Sequence, residues 1–168
     1  MNRTKEKLLQ ILRRNFDQTV TRICNRLQKI RPSHYEIIDF ERHQEREEEF
    51  LNLICNALEK DDLDSLKKYM AELANIRHNE GYTLEEVQKA LDAIEEELWQ
   101  TISRSGEPCE EIVAMLHEMN RLMVCMRNQF AVSYAAKQVD VQKRMARLKE
   151  RFFIYRHDRK DLESQNRE

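Results

Sequence analysis

The side chains of this 168-residue chain best suited to chemistry are its five histidines, four cysteines and seven methionines. His117 lies in Leu116-His117-Glu118-Met119-Asn120-Arg121-Leu122, where an exposed imidazole beside a carboxylate can accept a phosphoryl group. A separate kinase would have to supply that group, because the sequence holds no ATP-binding segment. Met115, Met119, Met123 and Met126 form a stripe with Cys125 beside it. Core or dimer seam is the first reading of that stripe, and a soft-metal, haem or redox site is the second.

Other chemistries are excluded by composition. The only glycines, Gly81 and Gly106, belong to neither a P-loop nor a dinucleotide fingerprint. No histidine has a glutamate three residues before it, so the Glu-x-x-His of carboxylate-bridged di-iron bundles is missing. His43 and Glu47 stand four apart in a heavily charged segment, where a solvated ion pair is the expectation and metal ligation the alternative. Cys24, Cys55, Cys109 and Cys125 lack Cys-x-x-Cys spacing and read as reduced thiols. No enzyme activity, metal site or cofactor is expected.

The elements that must carry these residues are helices. Only 2 Gly and 2 Pro interrupt a chain that is 36% charged and 40% hydrophobic, which supplies helices but few of the turns a sheet needs. Leu8, Leu12, Phe16, Val20, Ile23, Leu27 and Ile30 predict one first helix, ended by Pro32. Ser33 and Glu36 read as a capping box that opens a second helix running to about Lys60. Ile37, Ile38, Phe50, Leu51, Ile54 and Leu58 face its core, and a bend or exposed turn is expected at Glu41 to Glu49. Asp62 caps a third helix bearing Leu63, Leu66, Tyr69, Met70, Leu73 and Ile76. Gly81 stops it, and Thr83 with Glu86 caps a fourth that carries Trp99.

After Pro108 nothing interrupts the chain to about Arg156, which predicts one long C-terminal helix. Its seam, Met119, Met123, Met126 and Phe130, slips near Tyr134 to Gln138 and resumes through Val141, Leu148 and Phe152, as in two heptad blocks joined by a stutter. The expected architecture is all-α, an antiparallel bundle of about five helices. Residues 1–135 form the bundle domain, 136–156 extend the C-terminal helix as a pairing or partner arm, and 157–168 are a polar, frayed tail.

Residues 1–31 carry nine basic side chains against two acidic ones, and 36–62 reverse the balance with ten acidic against three basic. Antiparallel helices let these opposite fields face each other within one molecule, so no nucleic-acid partner is expected. No stretch approaches the apolar length of a membrane span, and no signal-peptide block precedes the first helix, so a cytoplasmic protein is expected.

Leu53, Ala57-Leu58, Asp62, Leu66 and Leu73-Ala74, then Arg77-His78-Asn79-Glu80-Gly81-Tyr82-Thr83-Leu84-Glu85-Glu86-Val87 and Leu98-Trp99, carry a resemblance. This stretch resembles the N-terminal sensor domain of the RsbR/RsbRD type of bacterial stressosome regulators, which shows Arg, three residues, Gly, one residue, Ser or Thr, then Leu at the same junction. The resemblance implies an all-helical sensory module that pairs with itself and usually precedes an output domain. No output domain is expected after the long helix here. Arg77, Gly81, Thr83 and Trp99 mark the turn or ligand site it suggests. The segment around His117 also resembles the H-box of histidine-kinase dimerisation helices. The functional expectation is a non-enzymatic regulatory module, a homodimer that contacts a partner signalling protein through its C-terminal helix. Histidine phosphotransfer and a haem, metal or redox sensor are the alternatives.

Overall fold

Asn15 settles the first departure from the expected helix order. Its side-chain amide donates to the Ile11 carbonyl at 2.8 Å, its own backbone leaves the helical region, and the first helix breaks into α1 (Arg3–Arg14) and α2 (Phe16–Leu27). The structure, a computed structural model, describes residues 2–30 and 33–165, with side chains to residue 150. Pro32 and the side chains of Phe152 and His157 lie outside those limits. The remaining elements are a 3₁₀ turn (His34–Ile37), α3 (Phe40–Lys60), α4 (Leu63–Asn79), α5 (Leu84–Ser103) and α6 (Cys109–Gln165). The fold is all-α, with no strand among the described residues.

Ser33 does not cap the second long helix. Its hydroxyl turns back to the Ile30 carbonyl at 2.7 Å, and Asp39 caps α3 instead by accepting from the Arg42 amide at 2.8 Å. The intervening 3₁₀ turn leaves Ile37 81% exposed while Tyr35 is buried. α3 then runs unbroken through Glu41 to Glu49, and His43 and Glu47 fall on the inward stripe with Phe50, Ile54 and Leu58.

The α4–α5 junction follows from its sequence. Asp62 caps α4 at its start, and Gly81 at φ +87° closes the end. Its amide bonds the His78 carbonyl and the Tyr82 amide bonds the Arg77 carbonyl, the two hydrogen bonds of a Schellman motif that a side chain at Gly81 would strain. Thr83 and Glu86 form the expected reciprocal box on α5.

Met1–Tyr134 and Ala135–Glu168 form separate units of packing. The core of the first unites Leu8, Leu12, Ile23, Leu27, Leu51, Ile54, Leu66, Met70, Leu98 and Ile102 with Met115, Met119, Met123, Met126 and Phe130 of α6. Each such side chain contributes roughly 2 kcal/mol by leaving water. The basic N-terminal helices find acids within the chain, Lys5 on Asp61 at 2.6 Å and Arg13 on Glu59 at 2.8 Å. Lys7 pairs with Glu107 and Glu111, and Arg26 with Glu96 and Glu97. Among the described residues no helix is long and apolar enough to cross a membrane.

Glu86 links the 3₁₀ turn to α5. Partial burial works to raise its carboxyl, but bonds from Thr83 and from the amide and ring of His34 outweigh this and bring it from 4.5 down to about 2. A depressed carboxylate stabilises the fold above its unfolded value and loses that contribution as pH falls from 4.5 toward 2. Glu86→Gln is therefore expected to cost about 1 kcal/mol at pH 7 in urea unfolding, with the difference vanishing by about pH 2.

Candidate functional site

The Schellman turn does more than end α4. It folds Tyr82 back beneath Arg77, whose guanidinium carbon sits 4.9 Å from the Tyr82 ring centroid. Arg77 Nη1 donates to Glu80 Oε2 at 2.6 Å, and its side chain is only 8% exposed. Tyr35 meets Tyr82 edge-on at 5.1 Å between centroids, while His34 stacks on it at 4.6 Å. From α6 the Tyr134 hydroxyl donates to the Tyr82 carbonyl at 2.7 Å, and the Tyr134 ring packs against His78.

α3 supplies the opposite wall. His43 is fully buried and its Nε2 donates to the Tyr35 carbonyl at 2.8 Å, which leaves Nδ1 as an acceptor with no partner. Arg46 reaches Glu80 at 3.8 Å, so one carboxylate is shared by two guanidinium groups. Glu47 is 7% exposed and makes no hydrogen bond through Oε2. Between the walls lies a cavity of about 30 Å³ lined by Tyr35, Arg46, Glu47, Arg77, Tyr69 and apolar residues that include Val87 and Leu91 of α5.

Six buried side-chain polar atoms lack a hydrogen-bond partner among the described residues, and four belong to His43, Arg46, Glu47 and Arg77. Buried polar groups are otherwise almost always satisfied, so the gathering of three of them, on Arg46, Glu47 and Arg77, along one cavity marks a site held ready for something polar. Burial drives the Glu47 carboxyl from 4.5 up to about 7 against the pull of Arg77 and Arg46. Burial also lowers His43, opposed by its bond to Tyr35, and raises the Tyr69 phenol to about 12.

Of the residues singled out by sequence, Arg77, Gly81 and Thr83 come together at this junction. Trp99 does not: it lies sixteen residues beyond Thr83, roughly 24 Å along α5, and is 42% exposed. Met119, Met123, Met126 and Phe130 are fully buried inside the first unit, which corrects the expectation of a dimer seam there, since they have no surface left to offer a second copy. Val141 and Leu148 are exposed, and Phe152 falls outside the described side chains. His117 is exposed on α6. Cys24 and Cys55 are buried thiols raised by burial to about 12 and 11, the wrong direction for reactivity. No group of three His, Cys, Asp or Glu side chains among the described residues is placed to hold a metal.

His43 and Glu47, expected from the sequence as a solvated ion pair, are buried instead. Their signal was present, since positions 43, 47, 50, 54 and 58 continue one helical stripe.

No family model matches the sequence, and no curated protein matches it. Among solved structures, the fold is similar to the globin domain of E. coli DosC in its ferric form, with a TM-score of 0.64, 11% identity, and coverage of 76% of this chain and 87% of that one. The ferrous form gives the same TM-score at 10% identity. The chain therefore has a globin-like arrangement of helices, with the cavity enclosed by α3, α4 and α5.

An acid whose folded value lies above its unfolded one costs stability as pH rises between the two, because the folded state holds the proton longer. Glu47 should thus weaken the fold progressively from pH 4.5 to about 7. Glu47→Gln, neutral at every pH, is expected to match the parent at pH 4.5 and to exceed it at pH 8 by up to about 3 kcal/mol in chemical denaturation.

Proposed function

With a globin-like fold as the premise, we propose that this chain is a non-enzymatic regulatory sensor module that reads its signal at the buried Arg77–Glu47 cavity. The observation that carries this reading is the set of unpartnered buried polar atoms on Arg46, Glu47 and Arg77, which line the cavity together. The resemblance of Arg77 to Val87 to stressosome sensor domains supports a regulatory role.

Likeness to a globin domain solved in ferric and ferrous forms supports the haem-sensor alternative more than it does that resemblance. The side chains around this cavity do not fit haem. Pockets for organic ligands of ordinary size span roughly 300–1,000 Å³, and this one offers about 30 Å³. No histidine, cysteine or methionine lines it, and His43 has turned its Nε2 to a backbone carbonyl. Its tyrosines are held as neutral phenols by burial. Three ionisable side chains, Arg46, Glu47 and Arg77, line it, a poor match for an apolar macrocycle.

Signal output belongs to protein contact. With the methionine stripe consumed by the core, the large apolar residues left exposed on the first unit, among the described residues, are Ile37 of the 3₁₀ turn, Ile76 of α4, Trp99 of α5, and Val113, Val124 and Val132 of α6. Val113 and Val124, eleven residues or about three turns apart, share one face of α6 and are the better candidates for pairing.

Titration of the purified chain with haemin tests the reading. The expected result is no Soret band beyond that of free haemin and no change in melting temperature. A stoichiometric, histidine-type spectrum would overturn it and return the haem alternative.

A further inference from the structure

Resting on that reading of the cavity, we propose that it binds a compact planar monoanion, of the carboxylate or small oxyanion class, together with one proton on Glu47. The donors are already in place. Arg77 Nε and Arg46 Nη1 are buried N–H groups with no acceptor, and a protonated Glu47 Oε2 would add a third donor to the same small space. A guanidinium is matched in plane and charge to a carboxylate or oxyanion. A water needs roughly 10–15 Å³ of such space, so a cavity of about 30 Å³ admits an anion of about two or three heavy atoms, such as formate, and excludes a longer chain.

Charge balance explains the proton. With Glu47 ionised, Arg46 and Arg77 are offset by Glu47 and the shared Glu80, and the site is neutral. An entering anion would leave one uncompensated negative charge in a buried place. Protonation of Glu47 removes that charge and turns an acceptor that would repel the anion into a donor that binds it. The anion takes over the role of the Glu47 carboxylate.

The groups around Glu47 leave it as the titrating member. On α3 these are Arg46 and the buried His43; on α4, Arg77 and Tyr69, with Glu80 reaching in through the two arginines; on the 3₁₀ turn, Tyr35; on α2, Cys24. α5 contributes the apolar Val87, Ala90, Leu91 and Ile94. Tyr69 and Cys24 ionise only near 12, and His43 stays neutral above its lowered value.

Calorimetric titration of the full chain with sodium formate, at constant ionic strength and at pH 6 and pH 8, tests the proposal. Binding is expected to be about tenfold tighter at pH 6, because the competent protonated form falls from most of the population to a minority across that interval. Repeating the titration near pH 8 in buffers of different ionisation enthalpy should report uptake of close to one proton. Glu47→Gln should bind formate equally at both pH values, and Arg77→Met should lose binding while keeping its helical circular dichroism. Where either variant fails to fold, proton uptake by the unaltered chain decides alone. Absence of heat with formate and nitrite at pH 6 would overturn the proposal, as would binding with no pH dependence and no proton uptake. A Soret band with haemin would remove the haem-free sensor reading itself, whereas a protein that refuses both haemin and formate removes only this inference.

Discussion

A guanidinium cannot be buried without partners, and much of this fold's interior polar structure follows from the burial of Arg77. An isolated buried charge would cost several kcal/mol, and a side chain left at the surface of α4 would avoid that cost entirely. Here the charge is taken inside and met by a Tyr82 face, by Glu80 at 2.6 Å and by the field of Glu47 across the cavity. The Schellman turn at Gly81 makes this possible, because it returns the chain so that Tyr82 lies against the arginine five residues before it. Tyr134 then ties that same tyrosine to α6 at the last residue of the first packing unit. A change at the arginine is thus connected by direct contacts to the helix from which partner contact is proposed.

The cavity gives the globin-like fold a different interior from the one its general architecture suggests. Two arginines and two glutamates meet at the site, with Phe50, Tyr69 and Leu73 occupying the space beside them. Such a set is unstable as a mere packing solution. Apolar residues of the same volume would serve stability as well or better, so the retention of three unsatisfied polar atoms along one cavity is more economically explained by function than by folding.

How much of this was legible in the sequence depended on whether local rules were sufficient. The Asp62 cap, the Gly81 stop and the Thr83–Glu86 box rest on hydrogen bonds between near neighbours, and they stand where residue type and spacing put them. Asn15 and Ser33 misled because each has two local options. Asn15 broke a helix whose apolar stripe continued across it, and Ser33 bonded backwards to Ile30 instead of forward. The methionines were legible as an internal seam or a dimer seam, and only tertiary packing could choose between them. His43 and Glu47 were hidden by their neighbours: a run of charges reads as solvent-facing, yet a helix turns every fourth residue inward whatever surrounds it. Arg77 was visible through the family resemblance and Glu47 was not, although each gains its meaning from the other.

The central claim is that Glu47 is buried against Arg77 in a site built for a polar signal, and the most direct measurement is the carboxyl carbon shift of Glu47 followed by NMR across pH 3 to 9. Assignment by comparison with Glu47→Gln isolates a single resonance. The account predicts a midpoint near 7. A midpoint at the ordinary value of 4.5 would place the carboxylate in water and contradict it.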